Sequence, residues 1–357
     1  MPMLRYGIET SVYPMNTLQM MRSYSILICL ALTAFANARA DVCSEPRDRE
    51  FDFWIGEWDI ENRQANPGNL TDPNLYPTGA AIARVSPAAG GCAIVELWEG
   101  ELSWGRVLGF SLRSYDASAE KWTLLLNWPA PNAGVPGVFA TREGGFRHGR
   151  GEFFNSSVGT DGKTRLSRFT FADINEERYR WDSAASVDGG VTWQTSWIME
   201  GTRRADADSS KFAPVALAED DMGACAAAEG SNSLAYLNGK WSGKTDGGVP
   251  VELEVLPIMG GCAFIEFLNV GGEQPWEEFR VRAYQPAKSQ WEQYSVSNQA
   301  EGLLESASEI ADGALVWIAA SKTGANEEWQ LDDEQVLHWR RSQADGESIL
   351  AELAHHR

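Results

Sequence analysis

The chain repeats itself, and this constrains its fold more than any single motif. "FDFWIGEW" at residues 51–58 has a partner in "LAYLNGKW" at residues 234–241, with Gly56 aligned to Gly239 and Trp58 to Trp241. Further on, "AAGGCAIVELWEG" aligns with "IMGGCAFIEFLNV", which places Cys92 opposite Cys262. "SYDASAEKW" then aligns with "AYQPAKSQW", and "YRWDSAASVDGG" with "LHWRRSQADGE", so that Trp181 matches Trp339. Four matches in one order with nearly equal gaps describe two copies of one folding unit. The stretch between them is rich in Ala, Asp and Ser and poor in large apolar residues, as a linker would be, with one short helix expected around residues 220–228. The predicted organisation is a first unit at 41–204, a linker at 205–224 and a second unit at 225–357. Each unit is long enough to bury a core of its own.

Both copies read as strand. Asp-Gly and Gly-Gly pairs recur at Gly90-Gly91, Asp161-Gly162, Asp188-Gly189-Gly190, Asp246-Gly247-Gly248 and Gly260-Gly261, supplying the positive φ that tight hairpins need. Between them lie short alternating runs. "KWTLLLNW" puts Trp122, Leu124, Leu126 and Trp128 on one face, and "RYRWDS" and "VTWQTSW" flank a turn as a hairpin. "GFRHGRGEFF" reads as a hairpin arm with a solvated basic edge. Beyond residue 40 no segment carries a long apolar pattern of helical period. The predicted fold class is all-β, as two tandem antiparallel β-barrels.

The first forty residues read as targeting sequence. Met21-Arg22, the apolar run at 26–35 and Ala38-Arg39-Ala40 form a secretory signal peptide, and residues 1–20 are an upstream extension. The apolar run is too short to span a bilayer. Four cysteines follow it: Cys43, Cys92, Cys225 and Cys262. An even number in an exported chain points to disulfides. Three pairings can be drawn. The repeat favours Cys43–Cys92 and Cys225–Cys262, one bridge within each copy. Thirty basic against fifty acidic residues give a formal charge of −20, which argues against nucleic acid or anionic lipid as partners. The expected location is the periplasm or the extracellular medium.

Gly56-Glu57-Trp58 and Gly239-Lys240-Trp241 resemble the first-strand G-x-W signature of the lipocalin-like (calycin) barrels. Together, "FDFWIGEW", "GGCAIVELWEG", "SYDASAEKW" and "DGGVTW" resemble an uncharacterised bacterial lipocalin-like family across nearly all of residues 48–204. "LNGKWSG" is similar to the first strand of nitrobindin-like haem barrels. The resemblance implies lipocalin-like barrels without a settled activity. The nitrobindin likeness makes His338 the one candidate axial ligand for haem, although the aligned position in the first copy is Arg180.

Several side chains could carry function. Trp58 and Trp241 are either structural plugs or the floor of a pocket. Glu96 and Glu266 each sit among apolar residues on one strand face, as Cys92, Ile94, Glu96, Trp98 and Cys262, Phe264, Glu266, Leu268. A buried carboxylate costs several kcal/mol unless paired, so its retention implies a partner: a ligand, or an arginine such as Arg180 or Arg280. With a raised pKa it could also act as an acid or base. Trp98, Trp104 and Trp128 would line an apolar cavity if they point inward, or an interface if they point outward. No G-x-S-x-G, H-E-x-x-H or P-loop occurs, and no Cys/His cluster suggests a metal. The expected function is therefore binding of a small hydrophobic or aromatic molecule in a barrel lumen, with candidate residues Trp58, Glu96, Trp98, Trp128, Trp241 and Glu266. The first copy holds nine of the fifteen tryptophans, which makes it the better pocket. The alternatives are a barrel-type isomerase, cyclase or hydrolase using a lumen glutamate, and a packed interaction module without a ligand.

Overall fold

A computed structural model describes residues 43–66, 72, 74–103, 105–128, 139–159, 161–204, 233–259, 263–273, 275–285, 288–311, 314–319, 326–342 and 348–356. The expected signal peptide, the expected linker and short helix, Trp104, Cys225 and Cys262 lie outside these residues.

The first copy supplies β1 (Gly56–Ala65), β2 (Leu75–Ala88), β3 (Ala93–Leu102), β4 (Gly105–Asp116), β5 (Lys121–Asn127), β6 (Ala140–Arg147), β7 (Arg150–Val158), β8 (Thr164–Ala172), β9 (Arg178–Ser186) and β10 (Gln194–Arg203). Each strand pairs antiparallel with the next, and β1 closes on β10, with Trp58 opposite Arg203. The second copy repeats this with β11 (Gly239–Thr245), β12 (Pro250–Ile258), β13 (Ala263–Val270), β14 (Trp276–Gln285), β15 (Gln290–Ser297), β16 (Ala300–Ala311), β17 (Ala314–Ala319), β18 (Asn326–Leu331), β19 (Val336–Ser342) and β20 (Ser348–His356), where β11 closes on β20. The protein is thus all-β, with two closed ten-stranded antiparallel barrels in tandem, an up-and-down lipocalin-like architecture. Closure leaves neither sheet an unpaired edge.

The segment "FDFWIGEW" plugs and opens the first barrel. A 3₁₀ turn at Asp52–Trp54 turns Phe51 and Trp54 inward, where they are almost fully buried beneath the barrel end. The Phe51 ring meets Trp122, Phe146 and Phe171 edge-on, with centroids 4.9, 4.8 and 5.3 Å away. Trp58 Nε1 donates to the Trp54 carbonyl at 2.7 Å, and in the second barrel Trp241 Nε1 donates to the Leu237 carbonyl at 2.8 Å. The glycine of G-x-W has a specific reason. Gly56 has φ +132°, and a Cβ there would lie 2.5 Å from an Arg203 guanidinium nitrogen. That guanidinium covers Trp58 at 4.1 Å from the ring centroid and donates to the carbonyls of Phe53 and Ile55. At Gly239, φ +118°, the imidazole of His355 takes the same place over Trp241.

The barrels pack through equivalent faces. Val95, Leu97, Phe110, Leu112 and Leu125 of β3–β5 share one apolar cluster with Ile265, Phe279, Val281, Ala283 and Val296 of β13–β15. Phe139 meets Tyr294 at 4.9 Å. The repeat therefore behaves as a pseudo-dimer in one chain, each half offering the same patch. This explains why "AIVELW" reads as a continuous apolar run rather than an alternation: its even residues face the lumen and its odd residues the other barrel. Cys92 departs from the face expected for it. It precedes β3, lies in the interbarrel cluster and is disulfide-bonded to Cys43. The bridge ties the entering segment to the β2–β3 corner.

Candidate functional site

The lumen of the first barrel is partly hollow. A cavity of about 270 Å³ lies above the aromatic plug. Its floor is Trp54, Glu96, Arg113, Phe171 and Tyr179, all buried. Its mouth is ringed by the half-buried Trp128, Arg142, Phe169, Ser183 and Trp197, with exposed Ala140 at the edge. Four indoles, two phenyl rings and the Tyr179 phenol make half of the lining residues. Trp98 and Trp128 stand 4.9 Å apart, Trp128 and Trp197 5.6 Å, and Phe169 and Trp181 4.6 Å. Such a wall suits a flat apolar molecule.

The floor carries the polar chemistry. Glu96 on β3 is opposite Ser111 on β4, and Ser111 Oγ donates to Glu96 Oε2 at 2.6 Å. Arg113 Nη1 donates to Ser111 Oγ at 2.9 Å, and its Nη2 is 3.8 Å from Glu96 Oε2. The guanidinium stacks on Trp54, 3.7 Å from the ring centroid. The partner of Glu96 is thus this Ser111–Arg113 pair, not Arg180, whose neighbour Trp181 is the residue that turns inward. Burial pushes the Glu96 carboxyl above the usual carboxylate range, against the opposing pull of Arg113 and Ser111. Burial also lowers Arg113 to about 10, with Glu96 pulling the other way. Tyr179, beside them, is raised by burial and by the Glu96 charge.

The second barrel answers the same geometry by filling it. Glu266 is opposite Arg280, as Glu96 is opposite Ser111. Arg280 is fully buried. Its nitrogens lie 2.8 Å from Glu278, 2.7 Å from Glu327 and 3.6 Å from Glu266. Arg282 Nη1 stands 2.8 Å from Glu266 Oε1, a close ion contact whose angles do not make a hydrogen bond. Arg341 closes the network at 2.7 Å from Glu278 and 2.8 Å from Glu327. Three guanidiniums thereby neutralise three carboxylates. Aligned through the strand registers, Glu278, Arg280, Glu327 and Arg341 fall where the first barrel has Gly109, Ser111, Phe169 and Ser183. Four long charged side chains become two small ones, a ring and a glycine, and the lumen opens. Gly109 is itself needed, because a Cβ there would meet the Trp128 ring at 2.8 Å.

The candidate residues therefore separate. Glu96 and Trp128 line the cavity, and Trp98 packs behind Trp128 with 1% exposure. Trp58 belongs to the plug. Trp241 and Glu266 belong to the filled second barrel. Arg113 and Arg142 were not singled out from sequence. The aligned Arg113 and Arg282, at nearly equal distances past each G-G-C, were a signal for the first; Arg142 aligns with Ser306 and left none. His338 sits between inward-facing Leu337 and Trp339, and its Nε2 lies 2.8 Å from Asp332 Oδ2. Facing away from the lumen with its ring engaged, it does not fit axial ligation of a haem inside the barrel.

Fold and cavity together define a tandem antiparallel β-barrel protein in which, among the described residues, the first lumen is open. No family model matches the chain, and no curated protein matches it. Among solved structures it is similar to the S-type phycobiliprotein lyase CPES from Guillardia theta, at 12% identity and TM-score 0.31 over 47% of this chain and 98% of that one. It is also similar to EF1p2_mFAP2b bound to DFHBI, at 10% identity and TM-score 0.23 over 44% and 99%. A third is a DUF3598-family protein of unknown function from Nostoc punctiforme, at 11% identity and TM-score 0.23 over 87% and 100%. At such scores the fold rests on the strand pairing alone.

Proposed function

We propose that the protein binds a small aromatic or hydrophobic molecule in the lumen of its first barrel, and that the second barrel is a filled companion that braces it. The observation that carries this reading is the aromatic-walled cavity of about 270 Å³. It lies at the lower end of ordinary ligand sites, roughly 300 Å³ and upward, so the ligand is compact, about the size of one fused ring pair. Export fits the same reading. The signal-like sequence at residues 21–40 would direct it, and the Cys43–Cys92 disulfide suits an oxidising compartment. Among the described residues no helix is long and apolar enough to cross a membrane.

A second reading has its own observation. Glu96 faces the cavity with its carboxyl pushed upward by burial, which is what an acid/base catalyst needs. Glu96→Gln separates the two: a binder keeps its affinity, and a catalyst loses turnover.

The binding test uses 2-naphthamide, a neutral flat probe, in titration calorimetry. Saturation near one per chain, abolished by Ala140→Trp at the cavity mouth, is the expected result. Heat that never saturates, or saturation that Ala140→Trp leaves intact, overturns the reading.

A further inference from the structure

The charged groups lining the cavity do not balance. They are one carboxylate, Glu96, and two guanidiniums, Arg113 and Arg142. Glu96 and Arg113 answer each other. Among the described residues Arg142 on β6 has no such partner. Its guanidinium lies on the face of Phe169, 3.8 Å from the ring centroid, and its buried Nε has no hydrogen-bond acceptor. Burial alone lowers its pKa, to about 10, and no carboxylate pulls it back. Within 43–204 the residues outside the described set are 67–71, 73, 104, 129–138 and 160, and none of them is Asp or Glu.

The contrast with the second barrel sharpens this. There three arginines meet three glutamates, and Ser306 stands at the position aligned with Arg142. An arginine kept at the mouth of an apolar lumen without a counter-ion pays a desolvation cost that the other barrel avoids. Stacked on Phe169, the planar guanidinium keeps its in-plane N–H groups free to take two oxygens side by side.

We propose that the ligand is an aromatic or hydrophobic acid, with its rings between the lumen tryptophans and its carboxylate held by Arg142 at the mouth. This rests on the lumen-binding reading and adds the chemical class of the ligand. Arg142 is the residue that determines specificity for the acid. Arg113 is already answered by Glu96 and serves as floor.

The test compares 2-naphthoate with 2-naphthamide, which share size and shape and differ in charge, by calorimetry at pH 7. The wild-type chain is expected to bind the carboxylate at least about tenfold more tightly, which is about 1.4 kcal/mol. Arg142→Met, which keeps the stem over Phe169, is expected to bring the carboxylate-to-amide affinity ratio down to within about twofold of unity. Arg142→Lys, which keeps the charge without the fork, is expected to retain part of the preference. Equal binding of the two probes by the wild-type chain, or a carboxylate preference that survives Arg142→Met, overturns the acid assignment and leaves lumen binding standing. If neither probe binds, the lumen reading falls and the acid assignment with it.

Discussion

Arg280→Met puts the filled lumen to a quantitative test. Arg280 is fully buried and lies within 3.6 Å of Glu266, Glu278 and Glu327. Its removal leaves three buried carboxylates facing two guanidiniums, Arg282 and Arg341. One carboxylate must then take up a proton. Glu266 is the candidate, because burial already pushes its carboxyl up and the variant loses one of the two arginines, Arg282 and Arg280, that oppose the shift. The folded variant then holds one proton more than its unfolded chain above pH 4–5. Its folded pKa is raised, so the penalty is absent below the unfolded value and grows as pH rises past it. At roughly 1.4 kcal/mol per pH unit, with an unfolded glutamate near about 4.3, the variant should be less stable than wild type by about 4 kcal/mol at pH 7 and about 1 kcal/mol at pH 5. Breaking a buried ion pair ordinarily costs 3–5 kcal/mol, in the same range. Urea unfolding followed by tryptophan fluorescence at the two pH values measures the difference. A loss equal at both pH values would mean that packing, not charge, was removed. A loss below about 1 kcal/mol at pH 7 would mean that Arg280 does not compensate the glutamates at all.

Other expectations follow from the first barrel. Replacing Cys43 and Cys92 together by Ser should cost about 4 kcal/mol in the chain-entropy model, given the sequence separation of 49, read by urea unfolding without reductant; a loss below about 1 kcal/mol would refute it. Gly56→Ala requires a strained φ of +132° and displaces the Arg203 guanidinium, so it should destabilise by about 2 kcal/mol or more. Gly105→Ala, also at positive φ but with open space around its Cβ, should cost less. Equal losses in the two glycine variants, read by thermal unfolding, would show that the Arg203 contact contributes nothing.

The sequence alone determined the architecture because the relevant signals are local or repeated. Alternation in "KWTLLLNW" grouped Trp122, Leu124, Leu126 and Trp128 on one face, and Leu126 and Trp128 do line the cavity. The aligned G-x-W and G-G-C segments set two equivalent barrels, and one copy-internal bridge, Cys43–Cys92, is present. Glu96 was legible as a buried carboxylate because its strand neighbours on both faces are apolar. Its partner was not. Ser111 and Arg113 meet it only through the β3–β4 register, which sequence spacing leaves open. Nor was the interbarrel face legible, since an outward apolar residue has the same period as an inward one. Which barrel is hollow was decided by tertiary structure alone. Gly109, Ser111, Phe169 and Ser183 lie on β4, β8 and β9, and their combined effect on lumen volume exists only once ten strands close around them. The same closure sets Arg142 on the face of Phe169 with no carboxylate partner among the described residues, and that placement is a property of the folded lumen that no stretch of sequence carries.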